Sequence, residues 1–156
     1  MGKIVEKPAK AKRSYIQKLV ASASKVFPLL CPVRELEWVP GWSLDAAFSE
    51  SGVAEEDCVF VTCEEKNKAT WMITRHEPSN FFVEMVKILP DQTASKLRIL
   101  LTDTGSNSCD ALVSYTHVAT SEKGKEFVES FTQDYYETFM KSWETELNKF
   151  LKSHPN

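Results

Sequence analysis

The sequence predicts a single α+β domain in which a curved antiparallel sheet of about seven strands packs against one long C-terminal helix. Two observations lead to this prediction. The middle of the chain consists of short segments in which apolar and polar side chains alternate, and short polar turns separate them. After Ser121 the apolar residues instead recur at three- and four-residue steps, which is the spacing of one face of a helix.

The chain begins with a basic stretch, KPAKAKR, which lies next to Glu6. Such a charge run at a terminus is typical of a solvated arm. We therefore expect residues 1–12 to be a flexible arm and residues 13–153 to form one folded domain. Internal repeats and linkers, which would indicate a second domain, are not found in the sequence.

One strand and two short helices are expected next. Residues 13–20 have the character of a strand, and Ser22 can cap a short helix that extends to Leu30. The segment VRELEW offers one further helical turn, which Pro40-Gly41 ends because this dipeptide favours a turn.

Six further strands are expected in the middle of the chain. Their separators are rich in Gly, Pro, Asn, Asp and Ser, which favour tight turns, and short turns join antiparallel neighbours. The predicted strands cover residues 43–48, 58–64, 69–76, 81–89, 95–103 and 111–119.

The terminal helix is predicted to begin at Ser121, with Glu122 favourably placed in its first turn. About 30 residues in one helix would span about 45 Å. Its broad apolar stripe includes Phe131, Tyr135 and Trp143, and must be covered by the concave face of the sheet.

Composition excludes several classes of protein. The formal net charge of −3 differs from the basic character of nucleic-acid-binding domains. The sequence contains neither an apolar run long enough to span a membrane nor a signal peptide, so we expect a cytoplasmic protein with reduced cysteines. Cys58 and Cys63 are five residues apart, which points their side chains to opposite faces of a strand and argues against a shared metal.

Three segments carry a resemblance to a known family. They are VFPLLCPVRELEWVPGW (26–42), TWMITRHEP (70–78) and LVSYTHVATSEKGKEFVESF (112–131), together with the predicted order of elements. On these features the chain resembles bacterial members of the SRPBCC or START-like superfamily, which includes polyketide cyclases and birch-pollen-allergen-like carriers. The resemblance covers most of the chain and implies a helix-grip fold. It also implies a cavity for a small apolar ligand such as a lipid, a polyketide or an aromatic molecule, without a cofactor.

Two polar residues are candidates for chemistry inside such a cavity. On the last strand, two-residue alternation places Tyr115 and His117 on the same face as Val113. An inward histidine could act as an acid or base and an inward tyrosine could orient a carbonyl, as a cyclase or dehydratase would require. Alternatively, His117 simply satisfies a neighbouring backbone group near the end of its strand.

The remaining candidates are mostly apolar. Tryptophan supplies a large flat surface with one hydrogen-bond donor, which suits either a ligand wall or a core. Arg34, Glu35 and Glu37 lie just before Trp38 in the same segment; they could bind a polar end of a ligand, but a solvated turn is expected. The predicted ligand-binding residues are Trp38, Trp42, Trp71, Leu97, Ile99, Tyr115, His117, Phe131 and Tyr135.

A third hypothesis is an interaction protein with a collapsed interior, whose strand edge or helix face binds a partner. The same exposed edges would also serve a homodimer. Neither a phosphate-binding loop nor a serine-hydrolase elbow occurs among the five glycines, so binding is favoured over catalysis.

Overall fold

The computed structural model describes residues 4–64 and 66–155. Within them, seven strands form one sheet, and each neighbouring pair is antiparallel. Across the sheet the strands follow the order β1-β7-β6-β5-β4-β3-β2. They are β1 (Lys10–Leu19), β2 (Ala46–Phe48), β3 (Val59–Glu64), β4 (Asn67–Glu77), β5 (Phe82–Leu89), β6 (Thr93–Gly105) and β7 (Ser108–Ala119).

The first strand starts earlier than predicted. β1 begins at Lys10 because its backbone pairs with β7 as far as Val118, and Ala119 N donates to Ala9 O at 2.9 Å. The expected arm over residues 1–12 is therefore wrong for residues 10–12. Residues 1–3 of that arm lie outside the described residues.

Apolar and polar side chains alternate along β6, and the apolar set forms its inner face. Leu97, Ile99 and Leu101 are 6%, 2% and 3% exposed, whereas Lys96 and Arg98 between them are exposed. Two-residue alternation in the sequence of β6 therefore corresponds to the face of the sheet that packs inward. The expected strand at 43–48 is shorter than predicted, since only Ala46–Phe48 pairs with β3.

The segment after β1 folds into a short helix, α1 (Ala23–Val26), and two 3₁₀ turns, Phe27–Leu29 and Arg34–Glu37. Ser22 stands before α1, but its hydroxyl makes no capping bond to the helix. Asp103 of β6 supplies the cap instead, because its Oδ1 accepts from Ala23 N at 2.8 Å.

The C-terminal helix is interrupted, so the expected single helix of about 30 residues is wrong. It consists of α2 (Glu122–Ser130) and α3 (Gln133–Ser153). Ser121 caps α2 as predicted, accepting from Gly124 N at 3.1 Å. Phe131 leaves the helical conformation, and the Thr132 hydroxyl begins α3 by accepting from Tyr135 N at 3.1 Å. The 21 residues of α3 span about 32 Å.

The break also changes which side chains α3 buries. Tyr136, Met140, Leu147 and Leu151 form the buried face, whereas Tyr135 is 54% exposed. In a helix continuous with α2, the buried face would have included Tyr135. Because a new helix begins after Thr132, the buried face of α3 lies one residue later, at Tyr136.

Within the described ranges, no helix has both the length and the apolar character needed to cross a bilayer.

Candidate functional site

A cavity of about 580 Å³ lies between the concave face of the sheet, α2, α3 and the 3₁₀ turn Arg34–Glu37. Buried side chains form its floor, whereas Gly41, Tyr135, Phe139 and Ser142 are exposed at its rim. The cavity therefore opens to solvent between the loop around Gly41 and α3. Its wall is formed by Pro32, Glu35, Val39, Pro40, Gly41, Trp42, Phe60, Glu64, Trp71, Met85, Lys87, Leu97, Tyr115, His117, Phe127, Phe131, Tyr135, Tyr136, Phe139, Met140, Ser142, Trp143 and Glu146.

Most of the residues predicted from the sequence lie together on this wall. They are Trp42, Trp71, Leu97, Tyr115, His117, Phe131 and Tyr135. They come from six elements or loops. Strand pairing and the packing of α2 and α3 bring them together around one cavity.

Two of the predicted residues do not line the cavity. Ile99 lies deeper in the core, where its register partners are Val83 and Val113. Trp38 is buried behind the wall, and its indole donates to Leu29 O at 3.0 Å. Its ring stacks on Trp143 with centroids 5.5 Å apart, so Trp38 supports a wall residue and does not itself face the cavity.

His117 forms part of the cavity floor and is 4% exposed. Its Nδ1 lies 2.6 Å from Ser95 Oγ, and its ring stacks on Tyr115 with centroids 5.3 Å apart. Burial, followed by the positive charge of Lys87, lowers the pKa of His117 to about 4. The imidazole is therefore neutral near pH 7, and its Nδ1 is already hydrogen-bonded to Ser95.

Tyr115 is more available to a ligand than His117. Among the described residues its hydroxyl has no hydrogen-bond partner, although the ring packs against His117 and the edge of Tyr136. Burial holds the pKa of Tyr115 above its usual value, with further contributions from Tyr136, Glu35 and Glu64. The phenol therefore stays protonated and can donate a hydrogen bond into the cavity.

A charged pair on the wall was missed by sequence analysis. Lys87 Nζ lies 2.5 Å from Glu64 Oε1 and 5.0 Å from the centroid of the Trp71 ring. The Lys87 side chain is only 12% exposed. Its position could have been found from alternation on β5, since Val83, Met85 and Lys87 share one face. The sequence alone leaves the orientation of that strand open, however, because each of its two faces carries one charged residue, Lys87 or Glu84, among apolar ones, and in the structure Glu84 is buried too.

Glu35 was expected in a solvated turn, and that expectation is wrong. Its side chain lines the cavity, and burial raises the pKa of the carboxyl to about 8. Its neighbour Glu37 is exposed and pairs with Arg34 at 2.5 Å. The 3₁₀ turn therefore separates two similar residues, one inside the cavity and one outside it.

The cysteines and acidic residues show no metal centre. Cys31, Cys58 and Cys109 are buried, Cys63 is exposed, and all four are free thiols. In the chain from Ile4 to Pro155, Glu65 aside, no three His, Cys, Asp or Glu side chains are grouped so as to hold a metal ion.

A seven-stranded antiparallel sheet that grips a C-terminal helix over a cavity is the START and Bet v 1-like fold of the SRPBCC proteins, and solved structures confirm that this chain has it. Norcoclaurine synthase from Thalictrum flavum, in complex with dopamine and hydroxybenzaldehyde, matches with a TM-score of 0.71 and 13% identity, over 99% of this chain and 98% of that chain. A START superfamily protein from Mycobacterium smegmatis matches with a TM-score of 0.64 and 12% identity, over 89% and 98% of the two chains.

Ara h 8.0201 matches with a TM-score of 0.62 and 8% identity, over 92% of this chain and 99% of that chain. No family model matches the sequence, and no curated protein matches it either. Identities this low establish the fold alone.

Proposed function

We propose that this protein binds a small, largely apolar and partly aromatic molecule in the cavity between its sheet and α3. The observation that carries the proposal is the cavity of about 580 Å³, in whose wall 10 of 23 residues are Phe, Tyr or Trp. Ligand sites typically have volumes of about 300–1,000 Å³ and apolar walls with a few polar groups. Apolar surface in contact with water is unfavourable, and a ligand that covers it would stabilise the protein.

The polar groups on the wall support a ligand with one polar end. Tyr115 offers a phenol and Glu35 a carboxyl, and neither has a hydrogen-bond partner among the described residues. Polar groups without a partner would orient a ligand, because a matching group gains a hydrogen bond in a poorly hydrated place. The complex of norcoclaurine synthase with two aromatic molecules, in a protein of the same fold, is consistent with this proposal.

Native mass spectrometry provides the first test. The protein is purified from its own host, and its native mass is compared with its denatured mass. A reproducible additional mass supports the proposal and identifies the class of ligand. A bare native mass, together with no binding from a broad panel of aromatic and aliphatic probes, contradicts it.

A matched pair of variants tests the location of the binding site. Leu97→Trp adds an indole on the wall of the cavity, whereas Leu100→Trp adds it on the same strand but on the exposed face, where Leu100 is 39% exposed. We expect the first variant to weaken binding by about tenfold or more through lost space, and the second to leave it unchanged. Isothermal titration calorimetry measures both, and equal effects would argue against the cavity as the site.

A cyclase or dehydratase activity is the second candidate, and the free hydroxyl of Tyr115 is the observation that favours it. His117 is less suited than expected as a base, because Ser95 occupies its Nδ1 and burial lowers its pKa to about 4. A copurified ligand can be incubated with the protein, and its mass and chromatographic retention measured again. Loss of one water indicates dehydration, and a changed retention at constant mass indicates cyclisation; either change, abolished by Tyr115→Phe while binding persists, supports catalysis. A ligand unchanged in both properties supports binding alone.

The interaction-protein hypothesis required a collapsed interior. The open cavity in the described chain removes that basis for it.

A further inference from the structure

We propose that the cavity selects molecules whose aromatic or other apolar body carries a protonated amine, and that the carboxyl of Glu35 binds this amine. The inference rests on the binding function proposed above and adds the chemical class of the ligand. Three features support it: the balance of charge on the wall, the faces of its aromatic rings, and the position of Glu35.

The charged side chains on the wall favour a cation. Three carboxylates, Glu35, Glu64 and Glu146, oppose one ammonium, that of Lys87. Lys87 is already paired with Glu64 at 2.5 Å, and Glu146 has Lys149 at 3.7 Å. Among the described residues, Glu35 alone of these carboxylates has no ion-pair partner. Once Glu35 is ionised, an anionic ligand would meet its unpaired negative charge, whereas a cation would find one free carboxylate.

The aromatic wall can also stabilise a cation. A cation over the face of an indole, within about 6 Å of the ring centroid, is attracted by the electrons of the ring. The wall already contains one such pair, because the ammonium of Lys87 lies 5.0 Å from the centroid of Trp71. Trp42 and Trp143 line the same space, so an amine can approach indole rings while its apolar body contacts the floor.

Glu35 makes the preference depend on pH. Burial raises its pKa to about 8, so near pH 7 the empty cavity holds mostly the neutral acid. An ammonium binds the carboxylate, and binding must therefore release the proton below that pKa. Affinity for the amine should rise as pH increases towards 8. The titratable groups that share the cavity with Glu35 are Glu64, Lys87, Tyr115, His117, Tyr135, Tyr136 and Glu146.

Three probes that share a naphthylmethyl body but carry polar groups of different charge test the inference. They are naphthylmethylamine, naphthylmethanol and the carboxylate naphthaleneacetate, with the same ring position in each, titrated calorimetrically near pH 6 and pH 8. We expect the amine to bind about tenfold tighter than the alcohol at the higher pH, and the acetate to bind most weakly. The dissociation constant of the amine should fall by about tenfold or more between the two pH values, whereas that of the alcohol should stay constant.

Two variants assign the effect to Glu35. Glu35→Gln keeps the shape of the side chain but removes its charge, and should remove both the preference for the amine and its pH dependence. Glu37→Gln removes the same charge two residues away, outside the cavity, and should leave both unchanged. Thermal unfolding of each variant confirms that it is folded.

The outcomes separate this inference from the function on which it rests. If the alcohol or the acetate binds as tightly as the amine, the ligand class is wrong while the binding function stands. If Glu35→Gln retains the preference, Glu35 is not the anchor. If none of the three probes binds to the unmodified protein, the proposed function itself fails, and the inference fails with it.

Discussion

The two sides of α3 differ in how they meet the sheet. Towards β1 the helix is bound directly: Gln133 Nε2 donates to Ser14 O at 3.2 Å, and Asn148 Nδ2 donates to Lys18 O at 2.9 Å. Towards β3, β4 and β5 the helix faces the cavity, and no hydrogen bond joins it to those strands within the described residues. One side therefore holds the helix in place, which allows the other side to remain open.

The bound side also protects an edge of the sheet. β1 is an edge strand, and an edge strand presents unpaired backbone groups that could pair with another chain. Glu144 accepts from both the Lys18 N–H at 2.5 Å and the Tyr15 hydroxyl at 2.9 Å. Gln17 adds a buried bond to Met140 O at 3.2 Å. Side chains of α3 and β1 thus satisfy backbone groups and fix the helix at several points along its length.

The largest effect should come from comparing two residues of α3 that lie on different sides. Leu147 is 1% exposed in the packed region, and Phe139 is 50% exposed at the rim of the cavity. Leu147→Ala should lower the free energy of unfolding by about 2–5 kcal/mol, because it leaves a void in the core. Phe139→Ala should cost less than about 1 kcal/mol but weaken ligand binding. Urea denaturation measures the free energy of unfolding of both variants. Similar losses would contradict the difference between the packed side and the cavity side of α3.

The second prediction concerns the cavity floor and its response to acid. The folded pKa of His117 is about 4, below its ordinary value of 6.5. The unfolded chain therefore binds more protons than the folded chain between these values, and stability falls as pH drops from 6.5 to 4. The loss attributable to His117 should approach about 3 kcal/mol.

His117→Asn tests this prediction, because asparagine retains polar atoms for Ser95 but does not titrate. In the variant, the urea midpoints at about pH 7 and pH 4.5 should lie closer together than they do in the unmodified protein. An equal loss in both proteins would assign the acid sensitivity to other groups.

The third and smallest effect tests the bound side. Glu144→Ala removes the acceptor of two hydrogen bonds and should cost about 1–2 kcal/mol. Tyr15→Phe removes one of the two and should cost about 1 kcal/mol or less. The double variant should then lose less than the sum of the single losses, because the two residues interact. Strict additivity in urea denaturation would show that the bond between them does not contribute.

Sequence analysis identified the fold and much of the cavity wall because both depend on local periodicity. Alternation along β6 and β7 placed Leu97, Tyr115 and His117 on the inner face, where they line the cavity. Alternation on β5 was obscured because each of its faces carries one charged residue, Glu84 or Lys87, among apolar ones. The structure buries Glu84 with a 2.7 Å bond to Arg98 and a 2.9 Å bond to Thr74. Without that strand's orientation, Lys87 could not be assigned to the cavity.

Local pattern by itself determined the strands, their turns and the start of the terminal helical region at Ser121, since backbone geometry imposes these periods over a few residues. Only the tertiary structure decided that Glu35 lies inside and Glu37 outside, because the packing of a 3₁₀ turn against distant strands sets that choice. It also decided that the interior stays open. On the other side of α3 the helix is anchored to β1, more than 100 residues away in sequence, as the bond between Gln17 and Met140 with its separation of 123 illustrates.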